Sequence, residues 1–121
     1  MNKILLMGRL TADAVLKKST KDKSKTYAKF SLAVPRKLEK DKTDFFDCVS
    51  FGRVGEAISK YCKKGSRISI VGNMQIDNYT DKDGNARKSY TVIVEDFYFA
   101  DNKTSNDKKE DNTEDNLELP F

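Results

Sequence analysis

The sequence predicts an all-β domain with one short helix, followed by a disordered acidic tail. Five segments between residues 1 and 100 show the composition or the period-two alternation of β-strands. One segment, between the third and fourth strands, changes to helical periodicity. Glycines interrupt the first and fourth strands, where the chain of a small barrel must curve tightly. These observations favour a small barrel over a layered α/β fold.

The first three strands are predicted at Lys3–Leu10, Tyr27–Val34 and Thr43–Phe51, separated by charged loops. Gly8 lies inside the first strand and indicates a bulge or a bend. The second strand alternates between a hydrophobic face, which we assign to the core, and a more polar face. In the third strand both faces carry aromatic residues, so we expect one face to pack inward and the other to meet a flat ligand.

The helix is predicted at Val54–Lys64, with Gly65 as its C′ residue. The fourth strand follows at Ser66–Tyr79, and a hairpin turn at Asp81–Asn85 joins it to the fifth strand at Arg87–Ala100. Three strands, a helix and two strands form the OB-fold arrangement, a five-stranded Greek-key barrel. An SH3-like barrel would not require this helix, and a split βαβ fold would need two.

Charge and composition divide the chain near Ala100. Residues 1–100 contain 20 basic and 12 acidic residues, a net charge of +8, whereas residues 101–121 contain 3 and 7, a net charge of −4. Only Leu117 is apolar between Asp101 and Glu118, so this segment cannot bury enough surface to offset its ordering entropy. We therefore expect a folded domain at 1–100, suited to a polyanion, and a disordered acidic tail at 101–121.

Several function classes are disfavoured by composition. The chain has no His, the commonest metal ligand and general base, and its two cysteines cannot form a four-thiolate zinc site. Cys48 and Cys62 are predicted to be reduced, buried or half-buried thiols. The longest apolar run, Ile4–Met7, is too short for a membrane span or a secretory signal. We expect a cytoplasmic protein with no metal or cofactor that is not an enzyme.

Aromatic and basic residues on the middle strands predict a surface for single-stranded nucleic acid, because bases stack on rings and cations follow phosphates. Phe45, Phe51 and Tyr79 are the candidate stacking residues, whereas Phe30 and Phe97 are assigned to the core. Phe46 is left open, since it adjoins Phe45 and one of the two must face inward. The candidate phosphate contacts are basic residues of the same domain: Arg9, Arg36, Lys37, Arg53, Arg67, Arg87 and Lys88.

Two other functions remain open from the residues alone. An RNA-binding OB-fold module would use the same residue types. An OB-fold nuclease would need a metal-binding carboxylate cluster, for which Asp44, Asp47 and Asp77 are the candidates on the middle strands.

An ordered set of short motifs resembles the bacterial and bacteriophage single-stranded DNA-binding proteins over residues 1–100. The motifs are Met7-Gly8-Arg9-Leu10, Phe30-Ser31-Leu32-Ala33-Val34, Asp44-Phe45, Val49-Ser50-Phe51-Gly52, Lys63-Lys64-Gly65-Ser66 and Val71-Gly72. The resemblance implies an OB-fold, a homotetramer, and sequence-independent binding that protects single-stranded DNA in replication, recombination or repair. Phe45, Phe51 and Tyr79 match the base-stacking positions of that family.

The chain departs from the family pattern in three ways. Two of the stacking positions often hold Trp in the family, and this chain has no Trp. Leu38 stands where a further stacking Trp is frequent, and Asp47 replaces a residue that is often basic. With fewer indole platforms, we expect weaker binding than in a typical relative.

The end of the tail is similar to the acidic tip with which this family docks replication, repair and recombination proteins. Phe121 combines an apolar anchor with the terminal carboxylate, and nearby acidic side chains suit the rim of a basic pocket. The predicted docking tip comprises Asp115, Glu118, Leu119, Pro120 and Phe121.

Overall fold

The computed structural model describes residues 1–19 and 25–100. The tail at 101–121, with the predicted docking tip, lies outside the described residues, as does most of the predicted loop between Ser19 and Thr26. The elements are β1 (Ile4–Leu10), β2 (Val15–Lys18), β3 (Thr26–Pro35), β4 (Thr43–Phe51), α1 (Gly52–Tyr61), β5 (Arg67–Thr80) and β6 (Ala86–Phe99).

The strands form one sheet that curls into a barrel. Their order is β1-β5-β6-β4-β3-β2, and β1 also pairs with β3 through Arg9 and Leu10, which closes the sheet. Neighbours are antiparallel except β4 and β6, which meet in parallel at Cys48–Val92 and Val49–Ile93. This parallel contact requires a crossover, which α1 and β5 provide. The predicted all-β fold class with one short helix is confirmed, and the sheet is consistent with the OB-fold.

The short strand β2 is absent from the sequence prediction. All four of its residues are exposed, so it shows no alternation of buried and exposed positions. Leu10 pairs with Leu32, and Val15 pairs with Lys29, so five steps along β1 and β2 oppose three steps along β3. Together, β1 and β2 therefore form one bent, interrupted strand that pairs along β3.

The barrel interior contains aliphatic side chains from β1, β3, β5 and β6, the inward residues of β4, and residues of α1. Phe30 is buried, and Phe97 is partly buried against the same cluster, as predicted. Phe46 also packs against this cluster, which answers the question left open by the sequence. The largest fully buried side chains are Leu10, Leu32, Ile58, Ile68, Ile70, Val92, Cys48, Cys62 and Ser50.

Two glycines permit the closest strand contacts in the barrel. A Cβ at Gly8 would overlap the carbonyl oxygen of Ala33, so β1 could not approach β3 with any larger residue. A Cβ at Gly72 would overlap the carbonyl oxygen of Ile93, and the β5–β6 register shifts between Val71 and Gly72. Gly8 thus allows β1 to lie close to β3, whereas the irregular strand register occurs at Gly72.

The helix differs from its prediction at both ends. It begins at Gly52 and ends at Tyr61, with Cys62 as the C-cap, so the assignment of Gly65 as C′ is wrong. Cys62 is fully buried and extended, and its N–H still donates to the carbonyl of Ile58. The helix therefore ends three residues before its predicted end at Lys64.

The β5–β6 hairpin continues to the pair Thr80–Ala86, past the last buried residues of either strand. Ile76 has the same strand phase as the buried Ile68 and Ile70, yet it is exposed because this part of the hairpin has no layer beneath it. The predicted turn at Asp81–Asn85 is confirmed by a hydrogen bond from the Asp81 N–H to the Asn85 carbonyl. Among the described residues, no helix has the length and apolar character needed to cross a bilayer.

Candidate nucleic-acid interface

The outward face of β4 carries the largest exposed rings near the middle of the sheet. Phe45 is 66% exposed and Phe51 is 51% exposed, whereas Cys48 and Ser50 point inward and are buried. The Ser50 hydroxyl donates to the carbonyl of Val94 and is thereby satisfied inside the barrel. Strand alternation alone thus presents two rings to solvent on one face.

Two adjoining concavities lie over this face, and together we call them the groove. The first encloses about 610 Å³ and is lined by Asp44, Phe45, Phe46, Asp47, Met74, Tyr79, Lys88, Ser89, Tyr90 and Val92. The second encloses about 480 Å³ and is lined by Lys17, Tyr27, Lys29, Asp47, Val49, Phe51, Gln75, Asp77, Ser89, Thr91 and Ile93. Asp47 and Ser89 line both, so the two concavities adjoin at these residues.

The three predicted stacking residues all line the groove, at different places. Phe45 and Tyr79 line the first concavity, to which β4 and the β5–β6 hairpin contribute. Phe51 lines the second. A nucleic-acid strand that crosses the groove would therefore meet aromatic rings at two successive places.

Two tyrosines that the sequence analysis did not select also line the groove. Tyr27 pairs with Phe51 across β3 and β4, with ring centroids 5.7 Å apart and a 48° interplanar angle. Tyr90 is 55% exposed and lines the first concavity. Tyr27 shares the polar face of its predicted strand with Lys29, so the sequence could have indicated that it is a surface residue. Its pairing with Phe51 depends on a strand register that the sequence does not reveal.

Three lysines line the groove and have no hydrogen-bond or ion-pair partner among the described residues. Lys88, a predicted phosphate contact, lines the first concavity, and Lys17 and Lys29 line the second. Lys17 belongs to β2, the strand that sequence patterning missed. These ammonium groups are available to an anionic ligand.

Two of the predicted arginines are engaged by carboxylates. Arg36 donates to Glu39 and to Asp44, which raises the pKa of the guanidinium and lowers the pKa of the Asp44 carboxyl. Arg87 donates to Asp81 at 2.8 Å, and this bond, followed by backbone N–H donors, lowers the pKa of Asp81. Arg36 lies beside the first concavity, because its partner Asp44 lines that concavity. Arg87 lies on the hairpin next to Lys88.

The remaining predicted phosphate contacts lie outside the groove. Arg53 lines a separate concavity that shares Phe51 with the second, and Lys37 is exposed in the β3–β4 connection. Arg9 donates to the carbonyl of Gly65, and Arg67 donates to that of Ala100. Contact of these four basic residues with phosphate stays a prediction. Leu38, in the same connection as Lys37, is 92% exposed and also lines neither concavity.

The candidate nuclease carboxylates line the groove but do not assemble into a metal site. Asp44 is held by Arg36, Asp47 lies at the junction, and Asp77 lines only the second concavity. In the described part of the chain, no three carboxylate, cysteine or histidine side chains are grouped closely enough to hold a metal ion. The three candidate carboxylates are therefore not grouped as a metal site among the described residues.

Both cysteines are buried thiols outside any disulfide, as predicted. Burial, followed by the nearby charge of Asp47, raises the pKa of Cys48 to about 12. The thiol is therefore protonated at neutral pH and is a packing group rather than a nucleophile.

Comparison with known proteins assigns the family. Residues 1–100 match the model of the single-strand binding protein family. The chain is 41% identical over 101 residues to a single-stranded DNA-binding protein of Clostridium perfringens, covering 84% of this chain and 67% of that protein. It is 38% identical over 111 residues to one of Fusobacterium nucleatum, covering 87% and 70%. Single-stranded DNA-binding protein 2 of Streptococcus agalactiae is 33% identical over 132 residues, covering 99% and 98%. By this match over most of its length, the chain belongs to the single-strand binding protein family.

Proposed function

We propose that the chain binds single-stranded DNA along the groove, without requiring a fixed sequence. Bases stack on Phe45, Tyr79 and Phe51, and phosphates lie near the lysines of the groove. The observation that carries this proposal is that the two concavities adjoin, and that each combines an exposed ring with a lysine that has no partner among the described residues. Stacking is tolerant of sequence because every base has a π-face.

The same geometry disfavours duplex DNA as the ligand. In a duplex the faces of the bases are stacked on one another and are unavailable to Phe45 or Phe51. Neither ring could then bury its exposed face, and only the phosphate contacts would remain. We therefore expect a large preference for the single strand.

Competition binding tests this proposal. Fluorescence anisotropy of labelled oligo-dT is measured with unlabelled oligo-dT, duplex DNA of equal length and the corresponding RNA as competitors. The proposal predicts that oligo-dT competes best. Equal competition by duplex would contradict it, and clear preference for RNA would instead support an RNA-binding OB-fold module.

The cellular role that we propose is protection of single-stranded DNA and recruitment of replication, recombination or repair proteins in the cytoplasm. Recruitment uses the tip formed by Asp115, Glu118, Leu119, Pro120 and Phe121, on a tail with a net charge of −4. Deletion of residues 112–121 is expected to abolish partner capture while DNA binding persists. Unchanged capture by the truncated chain would rule out the docking role.

We also propose a homotetramer as the working assembly. Support comes from an exposed apolar surface on β1, β5 and β6 that includes Leu5, Met7 and Tyr98 and lies outside the groove. Such surfaces in water favour association. Native mass spectrometry is expected to give four copies per particle, and a monomer at working concentration would contradict this assignment.

A further inference from the structure

Asp47 has an unusual place for a carboxylate on a surface that binds a polyanion. It lies on the outward face of β4 at the junction of the two concavities and lines both. The side chain has no hydrogen-bond or ion-pair partner in the part of the chain that the structure describes. The other two groove carboxylates differ, since Asp44 accepts from Arg36 and Asp77 accepts from Gln75.

The charge of Asp47 determines which part of a nucleotide can lie against it. A phosphate at the junction would face an uncompensated like charge, so it would bind there less well than near a lysine. Lys88 in the first concavity and Lys17 and Lys29 in the second provide such positions. The backbone is therefore expected to run past the lysines, leaving the edges of the bases to face Asp47.

The spacing along β4 brings a stacked base within reach of this carboxylate. Phe45 and Asp47 are alternate residues on one strand face, so their Cα atoms are separated by about 7 Å. A base that covers the exposed ring of Phe45 and extends into the junction directs one of its edges toward Asp47. Ser89, which also lines both concavities, supplies a hydroxyl at the same place.

A carboxylate accepts hydrogen bonds and cannot donate them, so it discriminates among base edges. Guanine presents two adjacent donors, N1–H and the N2 amino group, which match the two carboxylate oxygens. Cytosine and adenine present one amino group beside an acceptor nitrogen. Thymine presents a single N3–H between two carbonyl oxygens, both of which repel the carboxylate.

We propose that Asp47 is a specificity-determining residue that favours guanine over thymine at the groove junction. This inference rests on the proposed binding of single-stranded DNA along the groove. It adds a composition bias to a mode of binding that requires no fixed sequence. The bias arises from a contact in solvent-exposed surroundings, so we expect about a fivefold difference in Kd, the low end for a bidentate base contact.

The experiment compares two oligonucleotides by anisotropy: oligo-dT, and oligo-dT carrying isolated guanines spaced too widely to form quadruplexes. An inosine version, which lacks the N2 amino group, tests the bidentate contact. Wild type is expected to bind the guanine oligonucleotide about fivefold more tightly than oligo-dT, with inosine between them. Asp47→Asn should lose most of this preference and bind oligo-dT more tightly, because the like charge is gone. Asp47→Glu should keep the preference.

Asp83→Asn is the matched control, since it removes the same charge from an exposed hairpin position that lines neither concavity. It should leave the guanine preference unchanged. Equal binding of the two oligonucleotides by wild type would overturn the proposal, as would a preference that survives in Asp47→Asn. An equal gain for every oligonucleotide in Asp47→Asn would also overturn it, because Asp47 would then only repel phosphate. Failure of wild type to bind any single strand would instead refute the proposed function itself.

Discussion

At the scale of single residues, alternation along β4 separates core residues from solvent-exposed ones. Phe45 and Phe46 are adjacent and chemically identical, yet the first is exposed and the second packs against the core. The sequence could predict that one faces inward, and Phe30 and Phe97 could be assigned to the core in advance. It could not predict Tyr27 as a neighbour of Phe51, because that contact depends on the β3–β4 register.

Removal of a groove ring should affect binding more than stability. Phe51→Ala is expected to weaken binding of oligo-dT by about 1–3 kcal/mol, the usual loss for one aromatic–base stack. Because the ring is half exposed, thermal unfolding should change only modestly. Phe30→Ala, in the core, is the contrasting variant and should destabilise the fold by about 3–5 kcal/mol. A Phe51→Ala protein that melts as low as Phe30→Ala would show that Phe51 is a packing residue.

Tyr27 should support binding through its ring rather than its hydroxyl. Tyr27→Ala removes the neighbour of Phe51 and one wall of the second concavity, so the Kd for oligo-dT should rise severalfold, about 1 kcal/mol. Tyr27→Phe should bind like wild type. Tyr61→Ala removes a more exposed ring on α1, outside the groove, and should have no effect on titration curves. A loss of affinity in Tyr61→Ala equal to that in Tyr27→Ala would contradict the proposal that DNA binds in the groove.

At the scale of elements, the β5–β6 hairpin positions Tyr79, Lys88 and Tyr90 beyond the closed part of the barrel. Its turn was predictable because Asp, Gly and Asn occur where a hairpin needs them. Two features were not predictable: the exposure of Ile76 and the existence of β2. Both depend on what lies next to a strand in the folded barrel, and an exposed strand such as β2 has no hydrophobic period to detect.

Asp81 should make the stability of this hairpin depend on pH. Its carboxylate accepts from the backbone N–H groups of Asp83 and Asn85 and from Arg87, which lowers its pKa in the folded state. A lowered pKa stabilises the fold above the unfolded-state value near 3.8, and that contribution disappears as the pH falls through the folded-state value. Asp81→Asn should therefore melt below wild type at neutral pH, and the difference should shrink as the pH falls below about 4.

Melting curves of the two proteins across this pH range provide the measurement. Asp83→Asn is a suitable control because only the backbone N–H of Asp83 takes part in the turn. A difference between wild type and Asp81→Asn that stays constant down to pH about 2 would show that the charge of Asp81 contributes nothing to the fold.

At the scale of the whole molecule, the net charge of +4 conceals a basic domain of +8 and an acidic tail of −4. Family membership confirms the prediction that the chain is a non-enzymatic DNA-binding protein. The motifs and the order of elements were enough to predict the OB-fold and to select three aromatic residues that line the groove. They were less informative about the basic residues, because charge in the sequence does not reveal that Arg36 and Arg87 bind carboxylates or that Arg9 binds a carbonyl.

Salt should weaken binding in proportion to the phosphates neutralised. The logarithm of the binding constant is expected to fall with the logarithm of salt concentration by about 0.7 per phosphate contact. Lys29→Gln removes an unpartnered groove lysine and should reduce the magnitude of the slope by about 0.7. Lys63→Gln, an exposed lysine outside the groove, should leave it unchanged. Equal slopes for Lys29→Gln and wild type would exclude Lys29 from contact with phosphate.

Photo-crosslinking shows directly whether single-stranded DNA lies along the groove and stacks on its rings. Oligo-dT that carries 5-iodouracil is crosslinked to the protein, and the modified peptides are identified by mass spectrometry. The predicted crosslinks are at Phe45, Phe51 and Tyr79, with Tyr27 and Tyr90 as further sites. Tyr61, Tyr98 and Phe99 are equally exposed but line no part of the groove. Crosslinks confined to those three residues would contradict the account.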